Sequence, residues 1–239
     1  MSKTFLNIRD ATRSYLDEAS AVDFTETEVK REVNSGFHRI VTAVLETFEN
    51  YYVATYETSS VASQQEYALP SNFLKVRRVE INYQPNTTGS VKQRAYPMDI
   101  DQVRRDLSVS TLGPSVIRNP GYYIVGNNIG FIPIPSVSSS DTDAIKIWYV
   151  ATQDDLSADD DDVDVPYADR FAPSIAKYAA AQLLRKGQQE EQAAKTLMGE
   201  FMSDMEELKR QLEDRIEEES KSVIDVHGDG FGLAGEGFV

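Results

Sequence analysis

The spacing of the apolar residues changes twice along the chain, from helical to pleated and back, and this restricts the fold more than any other feature. Val29, Val33, Phe37, Ile40, Val41, Val44, Leu45 and Phe48 recur three and four apart, which places them on one helical face. Thr25 and Glu28 stand ahead of that stripe as a capping box, each able to satisfy a free backbone N–H, so a helix is expected over 26–49. Gly36 sits inside it as a close-packing point. Ile8, Ala11, Tyr15, Leu16 and Ala19 predict an earlier helix over 5–20. Near the other end, Tyr167, Phe171, Ile175, Tyr178, Ala179 and Leu183 form a stripe that Pro166 and Pro173 should start in stages and Gly187 should end. A last, long helix over 188–220 carries Ala194, Met198, Phe201, Met205, Leu208 and Leu212 as a narrow packing seam.

Between these helices the residues suit a pleated surface. Tyr51, Tyr52, Val53, Thr55 and Tyr56 are aromatic or β-branched, and extended segments follow at 65–70 and 73–83. In the second of these the apolar parity changes at Arg77 and Arg78, which predicts a bulge. A turn cluster at 85–90, a strand over 91–97 and a short helix over 99–107 come next. Residues 121–135 read as a hairpin turning at Gly126, Asn127 and Asn128, whose second strand lies near a sheet edge because Pro133 and Pro135 cannot donate to a ladder. Residues 144–151 complete the strands. The expected fold class is therefore α+β: a helical bundle with an inserted antiparallel β-rich region and a long C-terminal helix followed by an extended arm. The expected segments are 1–50, the β-rich 51–152, an acidic loop 153–166, the helical 167–220 and the arm 221–239.

Composition removes several function classes. Cysteine is absent, which excludes disulfides, thiolate metal sites and cysteine nucleophiles. No apolar run reaches the length of a membrane span and the first residues lack a signal-peptide core, so a soluble chain made in the cytoplasm is expected. With 24 basic and 39 acidic residues the net charge is −15, which opposes broad attraction to DNA or an acidic membrane. The charge is uneven. Residues 73–118, which include Arg77, Arg78, Arg104 and Arg105, carry eight basic and four acidic groups, whereas 187–239 carry five and 14. Opposite fields on one chain could orient head-to-tail association of identical copies, which makes those four arginines inter-subunit candidates.

Motifs for chemistry are weak. Gly230, Gly232 and Gly235 spell a dinucleotide fingerprint, but no strand precedes them and no helix follows. Asp160, Asp162 and Asp164 alternate as in a calcium loop, yet Val165 and Phe171 stand where glycine and glutamate are needed. The stretch from Asp154 to Asp164, with seven aspartates, keeps a calcium- or small-ligand-binding module open as an alternative. His38 and His227 suggest no nucleophile and base, and the glutamate runs at 190–191 and 217–219 read as solvated helix faces. Asn86-Thr87-Thr88 reads as a turn. In the arm, Phe231, Leu233, Phe238 and Val239 are more apolar than a solvating tail needs, which suggests docking on the groove of a neighbour.

The order of elements, with Tyr67-Ala-Leu-Pro-Ser-Asn-Phe-Leu-Lys-Val-Arg-Arg-Val79, the hairpin from Gly121 to Pro133, and the helix opening Val165-Pro-Tyr-Ala-Asp-Arg-Phe-Ala-Pro-Ser, resembles the head-to-tail adaptor (connector) proteins of tailed bacteriophages over about residues 5–215. The resemblance implies a structural virion protein, not an enzyme, that takes no cofactor. It implies a homo-oligomeric ring, commonly of about twelve copies, beneath the portal protein at the capsid–tail junction, with a tail or nozzle protein below and DNA passing through the lumen without specific binding. It places helices around 37–48, 171–184 and 197–212 in the bundle and suggests that the arm reaches the portal or a neighbour. Twelve copies at −15 each would carry about −180, a field that hinders capture of a moving duplex. A virion-associated glycan hydrolase is the remaining alternative, with no acid and base identified by spacing.

Overall fold

The computed structural model describes residues 3–17, 23–86, 91–101, 119–139, 142–186 and 191–221, with side chains of the last helix as far as Ile216. Two compact units emerge: a helical one built from Met1–Phe48 and Leu156–Val239, and a β-rich one from Glu49–Asp155. The fold is α+β, with the β-rich unit inserted in the chain between the two halves of the bundle.

Helix α1 spans Phe5–Tyr15 and opens on a capping box in which Thr4 and Asn7 satisfy each other's backbone N–H. It ends earlier than the stripe of apolar residues suggests. Asp17 turns into the left-handed region at φ 53°, and Tyr15 stays 43% exposed. The inner face is instead Phe5, Ile8, Arg9 and Thr12. Thr12 is buried because its hydroxyl donates to the Ile8 carbonyl (2.8 Å), and Arg9 because Glu26 and Asp159 hold its guanidinium. Helix α2, Glu26–Phe48, has the expected capping box: the Thr25 N–H reaches Glu28 Oε2 (3.0 Å) and the Glu28 N–H reaches Thr25 Oγ1 (3.3 Å).

Helix α3, Ala168–Lys186, is buried on most of its circumference, with Ala172, Ala176, Ala179, Ala180 and Ala181 letting its neighbours come close. Pro173 lies inside it and not at a staged start, so the helix begins in one step after Tyr167, whose φ of 53° redirects the chain. Only one amino-proximal hydrogen bond is lost to the proline ring. Helix α4, Glu191–Lys221, is 31 residues long, about 46 Å. Ala194, Phe201, Leu208 and Leu212 bury its seam, seven, seven and four residues apart. Lys177 and Ser174 on α3 bind Asp204 on α4 at 2.9 and 2.6 Å, and Lys177 also meets Glu200.

The β-rich unit opens on a 3-10 turn, Glu49–Tyr52, followed by β1 (Val53–Thr58), β2 (Glu66–Ala68), β3 (Phe73–Ile81), β4 (Gln93–Pro97), β5 (Gly121–Val125), β6 (Asn128–Ile132) and β7 (Ile145–Ala151). Their spatial order is β1-β7-β3-β4-β5-β6-β2. The sheet is mixed where an antiparallel one was expected, because Tyr96–Pro97 on β4 run parallel to Gly121–Tyr122 on β5. The long connection between those two strands permits this direction, which a tight turn could not. Register shifts on β3 against β7 bracket Phe73–Lys75 and Val76–Arg78, where the parity change predicts a bulge. The shift turns Val79 and Ile81 inward, where they join Tyr67, Ile129, Phe131, Ile145, Ile147 and Tyr149 in a core that the curled sheet wraps.

The hairpin turns on two residues. Gly126 alone takes positive φ, 58°, as a turn with glycine at its first central position requires, while Asn127 bonds across to Leu69 beyond β2. β6 lies one strand from the edge, and Pro133 and Pro135 fall after its end. In the short helix expected over 99–107, Ile100 and Asp101 are helical, Asp99 just precedes them, and 102–107 lie outside the described residues.

Candidate assembly interface

Four buried tyrosines tie segments of the β-rich unit by their hydroxyls, three of them to loops and one, Tyr123, to strand β2. Tyr67 accepts from the Val61 N–H (3.0 Å) and donates to the Gln64 carbonyl (3.2 Å), Tyr83 donates to the Pro133 carbonyl (2.7 Å), and Tyr149 reaches Asn72 (3.0 Å). Tyr123 donates to Glu66 (3.1 Å), and burial together with that carboxylate pushes its phenol up to about 12. These bonds leave the loops little freedom, which suits a unit that acts by shape. Among the described residues the sheet ends on β1, with six residues, and on β2, with three, and no further strand pairs beyond either. Such edges can pair with another chain.

Arg77 and Arg78 both have partners within this unit. Arg77 binds Glu49 and Asn50, with Lys75 on the same carboxylate at 3.1 Å. Arg78 binds Glu80 and lies 5.3 Å above the Trp148 ring, which Lys146 also approaches at 5.1 Å. As inter-subunit contacts they would have to share or exchange these carboxylates. Arg104, Arg105, Phe231, Leu233, Phe238, Val239 and His227 lie outside the described residues.

In the helical unit the acidic loop is built into the bundle. The first free N–H groups of α1, from Phe5 and Leu6, donate to the carbonyls of Asp161 (2.9 Å) and Asp159 (3.1 Å). Asn34 on α2 closes a two-bond clip on the Leu156 backbone, at 2.8 and 3.0 Å, and Leu156, Val163 and Val165 are buried. The carboxylate of Asp161 faces the N–H groups of Ser157 and Ala158, which lower its pKa, and that of Asp159 faces Arg9. Among the described residues no cluster of three or more His, Asp or Glu can hold a metal ion. The seven aspartates therefore partly serve the backbone: this was invisible in a composition count.

One wall of the bundle is unfilled. Between α2, α3 and α4 a groove of about 480 Å³ is lined by Thr42, Ala43, Tyr178, Met198, Phe201, Met202 and Met205, and its rim carries Arg39, Arg185, Glu46, Glu206 and Lys209. Met202 is 57% exposed. Lys209 pairs with Glu46 at 3.2 Å, whereas Arg39 and Arg185 make no ion pair among the described residues. The sequence hides this groove because Met198 and Met205 read as seam residues. Met202, four residues after Met198, was the available signal.

Among the described residues the carboxylates share one direction of shift. Every described carboxylate with a displaced pKa is displaced downward by a hydrogen-bonding base or N–H: Glu26 by Arg13, Glu28 by Lys186 to about 2, Asp143 by Lys92, Asp161 by Ser157 and Glu207 by Arg210 to about 2. A general acid needs the opposite shift. His38 lies on α2 beside Phe37, ring centroids 5.4 Å apart. Among the described residues no helix is long and apolar enough to cross a membrane.

The groove of the helical unit and the end strands β1 and β2 of the β-rich unit are surfaces on which another chain could sit. The family described as SU10 adaptor protein matches residues 3–223, and the chain belongs to that family. It is thus a structural adaptor of a bacteriophage, as the resemblance to head-to-tail adaptors leads one to expect. No curated protein matches the chain.

Proposed function

We propose that this adaptor forms a closed ring of about twelve copies beneath the portal protein at the capsid–tail junction, with a tail or nozzle protein below and DNA passing through the lumen. The family match over 3–223 is the observation that carries this reading. Several physical features support it. The bonded loops brace the β-rich unit, the salt-bridged α3–α4 pair braces the helical unit, and a net charge of −15 per copy disfavours phosphate-dense capture of the passing duplex. Arg77, Arg78, Arg104 and Arg105 meet acidic groups of the next copy, and Phe231, Leu233, Phe238 and Val239 carry the arm to the portal or a neighbour. The protein acts without turnover, and the downward carboxylate shifts support that over a glycan hydrolase. Negative-stain microscopy of the protein, alone and mixed with the portal protein of its phage, tests the proposal. Closed rings seated on the portal are expected, and particles that remain single in both samples would refute it.

A further inference from the structure

We infer that the groove between α2, α3 and α4 is the seat of the arm of an adjacent copy, with Phe231 and Leu233 over the methionines and the arm's acidic residues at Arg39 and Arg185. The inference rests on the ring reading and specifies the contact that closes it. Apolar chemistry comes first. Three of the five methionines of the chain, Met198, Met202 and Met205, line one groove, and a thioether surface adapts to aromatic and branched side chains. An exposed methionine beside a buried phenylalanine, Phe201, leaves apolar area in water that Phe231 and Leu233 can cover.

Charge supplies the direction. The segment 222–239 holds Asp225, Asp229 and Glu236 and no lysine or arginine. The α2 and α3 walls of the groove present Arg39 and Arg185 without ion pairs among the described residues. Acidic groups on both sides of the apolar anchors match cations at the rim.

Reach favours a neighbour over the same chain. Met202 lies 19 residues before Lys221, so α4 carries the start of the arm about 28 Å past it. The ten residues from Ser222 to Phe231 span at most about 33–36 Å. A return to its own groove would consume nearly all of that length while also rounding the helix, and a taut glycine-containing strand is entropically costly. A neighbour's groove makes no such demand.

The cysteine-free chain allows a direct test. Full-length Met202→Cys and Phe231→Cys proteins are mixed, assembled and oxidised, and the two-chain disulfide product is read on a non-reducing gel. A mixture of Phe231→Cys with Thr196→Cys, an exposed position of α4 outside the groove, sets the background. The inference expects the groove pair to cross-link roughly tenfold faster than background, and Arg39→Glu with Arg185→Glu to reduce that rate severalfold. Equal rates for the two mixtures overturn it, as does faster closure of a single Met202→Cys/Phe231→Cys chain on itself, or capture of the arm cysteine by portal protein alone. Mass photometry of the same samples reports the ring independently: rings without the groove cross-link remove this seat and leave the ring, while the cross-link without rings removes the ring and leaves the seat.

Discussion

Two glycines make the same chemical change carry opposite signs. Gly36 on α2 and Gly199 on α4 both lie inside helices, where replacement by alanine gains about 1 kcal/mol in helix propensity. At Gly199 nothing lies within 4 Å of the added methyl, so that gain should appear undiminished. At Gly36 the methyl would meet Tyr178 Cδ1 at 3.0 Å and Ile175 Cγ2 and carbonyl oxygen at 3.2 Å. Ordinary contacts begin near 3.5 Å, and a backbone carbonyl on the central helix moves only if α3 moves. Overpacking of this kind costs about 1–3 kcal/mol, which exceeds the propensity gain and leaves a net loss of about 0–2 kcal/mol. Urea unfolding followed by circular dichroism at 222 nm measures both. For a slope near 2 kcal/mol/M, Gly199→Ala should raise the midpoint by about 0.5 M and Gly36→Ala should lower it by up to about 1 M. A rise of equal size in both variants would refute the close approach of α2 and α3, and with it the spacing that sets two walls of the groove.

Further outcomes follow from individual contacts. Asn34→Ala removes both bonds to the Leu156 backbone and should cost about 1–3 kcal/mol in the same urea assay, whereas a merely solvated acidic loop would show no change. Glu28, held at about 2 against an ordinary 4.5 first by Lys186 and then by Thr25, contributes stability that is complete above about pH 4.5 and fades as pH falls toward 2. The stability difference between the native protein and Glu28→Gln should therefore shrink across that window; a difference constant from pH 5 to pH 2 would contradict the pairing. Tyr123, raised to about 12 by burial and then by Glu66, contributes stability present below pH 10 and lost as pH rises through 12. Tyr123→Phe should remove that part of the alkaline transition, read by tyrosinate absorbance, and an unaltered transition would count against it.

The helices, the capping box of α2 and the bulge on β3 were legible because each depends on neighbours in sequence: a stripe, a four-residue reciprocal bond, a parity change. Tyr15 was misread as an inner residue because Thr12 and Arg9 bury themselves through partners, Ile8 in one case and Glu26 with Asp159 in the other, that periodicity does not weigh. The parallel contact of β4 with β5 and the clip of Asn34 on Leu156, 122 residues apart, are tertiary facts with no local signature. The acidic loop was half legible: six of its seven aspartates, all but Asp161, are exposed as a solvated loop requires, whereas the capping of α1 by the backbone of Asp159 and Asp161 and the bond of the Asp161 carboxylate to its own turn leave no mark in a charge count. The assembly surfaces were only half legible: the arm's apolar residues stood out, but its groove did not, since Met198 and Met205 fit the packing seam of α4 equally well.

Counting copies of this chain in the neck of the virion is the most direct test of the account. Native mass spectrometry of the neck complex released from disrupted particles should find a ring of about twelve copies of the 26.8 kDa chain, near 320 kDa, bound to the portal. A single copy per virion, or a chain absent from the neck, would contradict it.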